Sequence, residues 1–328
     1  MTRFPERADD DYASLYLEET DRPLPGTINQ STRYAYFKTI ARGGKSIVQS
    51  CKDLHLSRVV CCKRLRPEFQ GDPAEERRLL REARVTAALQ HPNSIPAYEV
   101  TRDSRGHLFF TMKLVHGYTL RELLAPEYRE RYDLRQLVDV VVQVAYALEY
   151  AHGHRVIHRD VKPENILVGP YGEVLLMDWG LAKVWTRDGQ PDEPAPSQPE
   201  DPSALVTSLT GVGQLEGTIA YMSPEQVRRD PLIDYRTDIY SLGVLLYEIL
   251  ARRTPFGGER VDQILDGILE REPEPPSNWA GAGVPEALES LVLRCLEKAP
   301  DGRIQTCAEL VRSLQGDWER VGRGRHGA

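Results

Sequence analysis

Between His158 and Asn165 the chain reads His-Arg-Asp-Val-Lys-Pro-Glu-Asn, which places a carboxylate (Asp160), an ammonium (Lys162) and a carboxamide (Asn165) within six residues. A second acid, Asp178, follows in Met177-Asp178-Trp179-Gly180, with the apolar run Ile166-Leu167-Val168 between the two. A polyphosphate carried on a divalent cation needs this set of groups. One acid orients an attacking hydroxyl, an acid and an amide hold the metal, and a lysine neutralises the phosphoryl group in transit. Taken singly, a His-Arg-Asp is an ordinary solvated loop and an Asp-x-Gly an ordinary turn. Their order and spacing carry the chemistry.

Spelled H-R-D-x-K-x-x-N and followed by D-x-G, the set resembles the catalytic segment of protein kinases. The resemblance runs from about Tyr34 to Leu314. Val161-Lys162-Pro163-Glu164-Asn165 and Tyr221-Met222-Ser223-Pro224-Glu225-Gln226 look most like the bacterial, eukaryotic-like (Hanks-type) serine/threonine branch. It implies an α+β, bilobal fold that uses ATP with Mg2+, or Mn2+ in its place. By the same resemblance Asp160 would orient the substrate hydroxyl and accept its proton, Lys162 would stabilise the moving phosphoryl group, and Asn165 and Asp178 would hold the metal. Lys63, in Val60-Cys61-Cys62-Lys63, would hold the α and β phosphates and pair with Glu82. Met112 would be the gatekeeper, Lys113 to Val115 the hinge whose backbone meets adenine, and Ile40, Val48, Cys61 and Leu167 would enclose the ring. Lys162 with Thr218 would mark serine/threonine specificity. Glu225, in Ser-Pro-Glu where Ala-Pro-Glu is usual, would pair with Arg303, and Asp238 would brace the catalytic loop. Arg159 lacks an anion in its own motif, so a phosphate on Thr210, ahead of Thr218, would supply one and switch the enzyme on.

Several positions depart from the family pattern. Residues 41 to 46, Ala-Arg-Gly-Gly-Lys-Ser, fail as a Walker A loop because Thr39 falls where its first glycine belongs. Framed as a kinase glycine-rich loop they give Ala41, Gly43, Ser46 and Val48, so only the middle glycine and the valine survive. Cys61 replaces the alanine that usually lines the adenine pocket and reads as an inert small hydrophobe. Lys113 stands where an acid is common. Trp179 replaces phenylalanine, and its indole must find room and a partner for its N–H. His152, His154 and His158 have spacings that do not converge on a metal, so His158 is expected to pack structurally. The rival of another class is a pseudokinase, a nucleotide-binding scaffold, which only the degraded loop supports. A small-molecule kinase is opposed by the intact Gly217–Glu225 segment.

Two kinds of element must hold these groups. Tyr34–Phe37, Ile47–Gln49, Arg58–Cys62 and Leu108–Leu114 read as strands, and Ala74–Leu89, Leu134–Ala151 and Tyr235–Leu250 as helices, the last apolar nearly all round. Strands first and helices later give a small sheet lobe over residues 34–112, a hinge at 113–117 and a helical lobe over 118–315. Residues 1–33 read as a flexible acidic extension. Residues 186–204, with five prolines, read as a disordered insertion, and 316–328 as a short basic tail.

The 328 residues are 41% hydrophobic and 28% charged, as expected of a globular protein rather than a fibrous or disordered one. A net charge of −7 argues against a nucleic-acid or membrane-surface binder. Five cysteines without C-x-x-C spacing fit a reduced, cytoplasmic chain. No signal peptide or membrane-spanning run is read. The partners implied are ATP, proteins bearing Ser or Thr, and a second copy of the chain for autophosphorylation.

Overall fold

The computed structural model describes residues 33–128, 131–184, 218–280 and 284–324, with the backbone alone for 280 and 317–324. Residues 1–32, the 186–204 insertion, Thr210 and the last four residues of the tail lie outside this description. Strands β1 (Tyr34–Arg42), β2 (Ser46–Asp53), β3 (Arg58–Leu65), β4 (Ala97–Arg102) and β5 (Leu108–Met112) form one antiparallel sheet in the order β1-β2-β3-β5-β4. Alternation along β3 sends Cys61, Lys63 and Leu65 to one face and Cys62 and Arg64 to the other, because successive side chains in a strand point oppositely.

Helix α1 (Pro73–Ala88) covers the face that carries Lys63. Its start is well specified. Asp72 caps it by accepting from the Ala74 and Glu75 N–H groups, proline occupies the first turn, and Glu75 and Glu76 complement the helix dipole there. Leu79, Glu82, Ala83 and Thr86 are its buried stripe, at the spacing of one helical face. A glutamate is therefore carried inward among apolar neighbours, towards β3.

The second lobe is built on α3 (Leu134–Gly153) and α5 (Arg236–Ala251), surrounded by α2 (Leu120–Leu123), α4 (Pro224–Val227), α6 (Val261–Glu270), α7 (Ser277–Ala280), α8 (Glu286–Cys295) and α9 (Cys307–Gly324). Every residue of α5 after Arg236 is buried, as expected of a helix apolar on all sides. Short strands set the loops that matter here. β6 (Tyr118–Thr119), β8 (Ile166–Val168) and β9 (Val174–Leu176) form one ladder, and β7 (Val156–Ile157) pairs with β10 (Lys183–Val184). The His158–Asn165 loop spans from β7 to β8 and the Met177–Gly180 turn follows β9, so buried strands anchor both acids. At Gly117 an added Cβ would lie 2.2 Å from the Val168 carbonyl oxygen, so only glycine lets the inter-lobe connection approach β8. This is the α+β, two-lobed architecture expected from the sequence. All five cysteines are free and buried. Among the described residues no helix is long and apolar enough to cross a membrane.

Candidate active site

Asp160 sits at the centre of a fixed loop. Its Oδ2 accepts from Lys162 Nζ at 2.8 Å and from Asn165 Nδ2 at 2.9 Å, while its carbonyl oxygen accepts from the same Asn165 amide at 2.8 Å. Burial pushes the Asp160 carboxyl above its ordinary pKa, with Lys162 opposing. The loop is braced from below. Asp238, fully buried in the first turn of α5, accepts from the His158 backbone N–H at 2.9 Å, the Arg159 N–H at 2.8 Å and His152 Nε2 at 2.8 Å. Burial raises the Asp238 pKa, but His152 and His158 more than offset this and the carboxyl ends below its usual value. Arg159 holds a left-handed φ of 64°, which a residue with a Cβ rarely adopts, and the Asp238 bond to its N–H fixes that conformation. His158 is wholly buried. Its Nδ1 accepts from the Asp160 N–H at 3.1 Å and its Nε2 lies 3.1 Å from the Met177 carbonyl, so as the Nε2–H tautomer it ties the catalytic loop to the turn that carries Asp178.

The second half of the site joins three elements. Lys63 Nζ of β3 donates to Glu82 Oε1 of α1 at 2.5 Å and to Asp178 Oδ1 at 3.1 Å. Burial works against the Lys63 ammonium, yet Asp178 and Glu82 together raise its pKa above the ordinary value. Two carboxylates share this one ammonium. Lys63 holds Asp178 below the usual carboxylate range, whereas burial pushes Glu82 up to about 7. Asp178 also has a left-handed φ of 64°, and a Cβ on Gly180 would stand 3.1 Å from its Oδ1 and 3.4 Å from Glu82 Oε2. The glycine keeps that gap open.

The donor set fits a hard divalent cation. Asn165 commits its amide nitrogen to Asp160, which leaves its carbonyl oxygen as a ligand atom. Asp178 spends Oδ1 on Lys63 and the Gly180 N–H, which leaves Oδ2, and its side chain is 44% exposed. Two protein oxygens with the remainder from phosphate and water is how Mg2+ is usually held. Among the described residues no group of three or more His, Cys, Asp or Glu side chains forms a metal cage.

Around the expected adenine position Cys61 and Met112 face each other across β3 and β5, both buried, with Val48 packed against the same cluster. Burial pushes the Cys61 thiol up to about 12, consistent with an inert apolar role. Leu167 lies on β8, half-buried. The Lys113 N–H is taken by the Pro96 carbonyl at 3.1 Å, so at this residue only the carbonyl remains for a base, beside the backbone groups of Val115. Ile40 is 43% exposed and falls at a bulge between Thr39 and Ala41.

The loop between β1 and β2 is tight. Gly43 N–H donates to the Ser46 carbonyl at 2.8 Å, and Ala41 pairs directly with Val48. Its tip is tethered twice, by Lys45 Nζ to Glu75 Oε1 of α1 at 2.7 Å and by Arg66 Nη1 to the Gly44 carbonyl at 3.0 Å. With Ala41 and Ser46 in place of glycine, such a loop adapts poorly to phosphate. Ala41→Gly/Ser46→Gly should therefore lower the KM for ATP by a few-fold with kcat nearly unchanged, in initial-rate measurements over a range of ATP concentrations. An unchanged or higher KM would place the phosphate contact elsewhere.

In the peptide-platform segment Thr218 Oγ1 accepts from Lys162 Nζ at 3.1 Å, and Ser223 caps α4. Glu225 meets Arg303 in a bidentate pair, both bonds at 2.7 Å, with the Arg303 side chain wholly buried. Arg159 donates from Nε to the Leu181 carbonyl at 2.7 Å. Its pKa is lowered by burial, with Asp238 opposing and Arg81 of α1 adding to the fall. Lys183 of β10 is lowered by burial and by Arg159. Asp230 draws the Lys183 pKa the other way, and Lys183 Nζ donates to the Pro231 carbonyl at 3.0 Å. Trp179 corrects one expectation. Its indole is buried and stands edge-on to His158 at 4.5 Å between centroids, but its N–H finds no hydrogen-bond partner among the described residues.

Sequence reasoning missed His152, the third partner of Asp238, and Arg121, which links Glu164, Glu248 and Tyr221. The spacing of His152 to its neighbouring histidines gives no sign of Asp238, 86 positions away. The signal for Arg121 was an arginine beside the capping Thr119 on a short helix, which alone points to nothing.

A two-lobed fold with a lysine, two acids and an asparagine gathered between its lobes is that of the protein kinases, and the protein kinase domain profile matches residues 34–314. The chain belongs to the protein kinase family. It is 34% identical over 309 residues to serine/threonine-protein kinase PknD of Protochlamydia amoebophila, covering 91% of this chain and 30% of that protein. Against serine/threonine-protein kinase PknB of Mycolicibacterium smegmatis it is 34% identical over 293 residues, covering 87% and 43%. With PknB of Mycobacterium tuberculosis it shares 34% identity over 287 residues, covering 87% and 42%. The chain thus spans less than half the length of these curated relatives.

Proposed function

We propose that this chain is a serine/threonine protein kinase that transfers the γ-phosphoryl group of ATP to protein hydroxyls in the cytoplasm. The observation that carries the reading is Lys63 reaching both Glu82 and Asp178, because this joins β3, α1 and the Met177–Gly180 turn into one phosphate-binding frame. In the reaction a Ser or Thr Oγ forms a bond to the γ-phosphorus as the bond from that phosphorus to the bridging oxygen breaks. The leaving ADP takes the electron pair. Asp160 orients the hydroxyl and takes its proton, and Lys162, 2.8 Å from Asp160, balances charge on the group in transit. Asn165 and Asp178 would hold Mg2+, or Mn2+, which supplies charge neutralisation at the β and γ phosphates. Incubation of the purified chain with labelled ATP and Mg2+, followed by phosphosite mapping, tests this. Label on Ser or Thr is expected. Nucleotide binding without transfer would instead favour a scaffold.

Control by phosphorylation is part of the proposal. A phosphate carries about two negative charges and forms charge-assisted bonds to guanidinium groups. Arg159, whose guanidinium lies against the Leu181 carbonyl just past the Met177–Gly180 turn, supports a receptor for one, with Thr210 as its source and a second copy of the chain as the source of the phosphoryl group. Both Thr210→Ala and Arg159→Ala should lower activity by roughly tenfold, the loss expected from a few charge-assisted bonds. Full activity in Thr210→Ala, with no phosphate from Thr207 to Thr218 by mass spectrometry, would remove the switch and leave the kinase.

A further inference from the structure

The tip of the β1–β2 loop carries a cation that the Lys63–Glu82–Asp178 frame does not use. Lys45 Nζ donates to Glu75 Oε1 at 2.7 Å, and the same oxygen accepts from Arg78 Nη1 at 2.7 Å. Glu75 stands in the first turn of α1 with its side chain 10% exposed, whereas the Lys45 side chain is 38% exposed. The carboxylate is thus a buried acceptor that already has a second cation. To Lys45 the Glu75–Arg78 pair is close to neutral, so it holds the ammonium weakly.

The position of Lys45 relates it to the nucleotide. Glu75 and Glu82 lie seven residues apart on the buried stripe of α1, two turns along one face. At about 1.5 Å of rise per residue they stand roughly 10 Å apart along the helix, and each holds a lysine. Lys45 is at the first and Lys63 at the second. A triphosphate whose inner phosphates rest on Lys63 offers the loop tip a stronger anion than the Glu75–Arg78 pair does. Arg66, just past β3, is already committed to Glu68 Oε1 at 2.5 Å and to the Gly44 carbonyl at 3.0 Å. Lys45 is held by the one weak pair, and its four-carbon stem can turn without moving the backbone.

We infer that Lys45 is a phosphate ligand held in reserve: without nucleotide it rests on Glu75, and with ATP bound it leaves Glu75 for the outer phosphates. The inference deepens the kinase reading above and rests on it. A flexible side chain then supplies the adaptation that Ala41 and Ser46 take from the loop backbone. Glu75 competes with the nucleotide for one ammonium, and Arg78 keeps the vacated carboxylate paired. The two members of this ion pair must therefore have opposite effects on ATP affinity, which a pair that only braces the loop would not show.

The test is calorimetric titration with ATP and Mg2+ and, separately, with adenosine. It compares the parent, Lys45→Met, Lys45→Arg, Glu75→Gln and Lys45→Met/Glu75→Gln. Lys45→Met should weaken ATP binding by about tenfold, the scale of one charge-assisted contact. Glu75→Gln should strengthen it by about threefold, the scale of a partly exposed ion pair. The double variant should match Lys45→Met, because Glu75 acts only through Lys45. Lys45→Arg, which keeps the charge, should stay close to the parent. Adenosine has no phosphate, so its affinity should be the same in all five proteins, which separates a lost phosphate contact from a loop that has lost its shape. Equal ATP affinity in Lys45→Met, a Glu75→Gln variant that fails to strengthen it, or adenosine affinities that follow those for ATP overturn the inference while the kinase reading stands. A parent that does not bind ATP overturns that reading and this inference with it.

Discussion

Asp160→Asn should lower the rate of phosphoryl transfer by at least ~10²-fold, the usual loss when a positioned general base is removed. The fold should survive. Asn keeps the shape of the side chain, and the loop is held by bonds that do not involve the Asp160 carboxylate. These are Asp238 to two backbone N–H groups, His158 to the Asp160 N–H, and Gln226 Nε2 to the Arg159 carbonyl at 2.8 Å. What changes is the charge facing Lys162 and the capacity to take a proton. Initial rates at saturating ATP, with unfolding midpoints measured beside them, separate these effects. A midpoint close to the parent's with a collapsed rate is expected. A rate within threefold of the parent's would remove Asp160 from the chemistry.

Arg303→Ala should instead cost stability, by about 3–5 kcal/mol, the range found when one partner of a buried ion pair is deleted. The guanidinium is wholly buried and spends its donors on both Glu225 oxygens and on the backbone carbonyls of Glu297, Lys298 and Arg236 at 2.7 to 3.0 Å. Without it Glu225 is left charged and desolvated, and three carbonyls lose a partner. Lysine should not restore the loss, since an ammonium cannot span the two carboxylate oxygens and the carbonyls together. Urea unfolding of the parent, Arg303→Ala and Arg303→Lys measures this. A loss below about 1 kcal/mol in the alanine variant would mean that the pair does not hold the platform to the lobe.

Much of the site was legible because its chemistry demands certain residue types close together in sequence. Asp160, Lys162 and Asn165 lie within one loop, and their mutual bonds follow from that proximity. Lys63 and Glu82 were legible for another reason, a buried-type strand and a helical stripe that each carried one charge inward. Residues whose partners are remote in sequence were harder to read. Arg121 meets Glu248 across 127 positions and His152 meets Asp238 across 86, and no local pattern encodes either meeting. Strand ends were misjudged where one face looks outward. β1 runs on to Arg42 although most of its residues are exposed, because pairing with β2 rather than burial of its own side chains sustains it. Trp179 finds room but no partner for its N–H among the described residues, and packing its large ring against His158 in a closed site offsets the cost of that donor.

Single-turnover transfer from γ-labelled ATP to serine and threonine tests the assignment of phosphoryl transfer to this chain. It should be run on the parent chain and Asp160→Asn in parallel, each with Mg2+ and with chelator. Acid-stable label on Ser or Thr in the parent, dependence on the added metal, and a rate at least ~10²-fold lower in Asp160→Asn are expected. Bound nucleotide with no label transferred by the parent, or equal transfer by the two proteins, would contradict it.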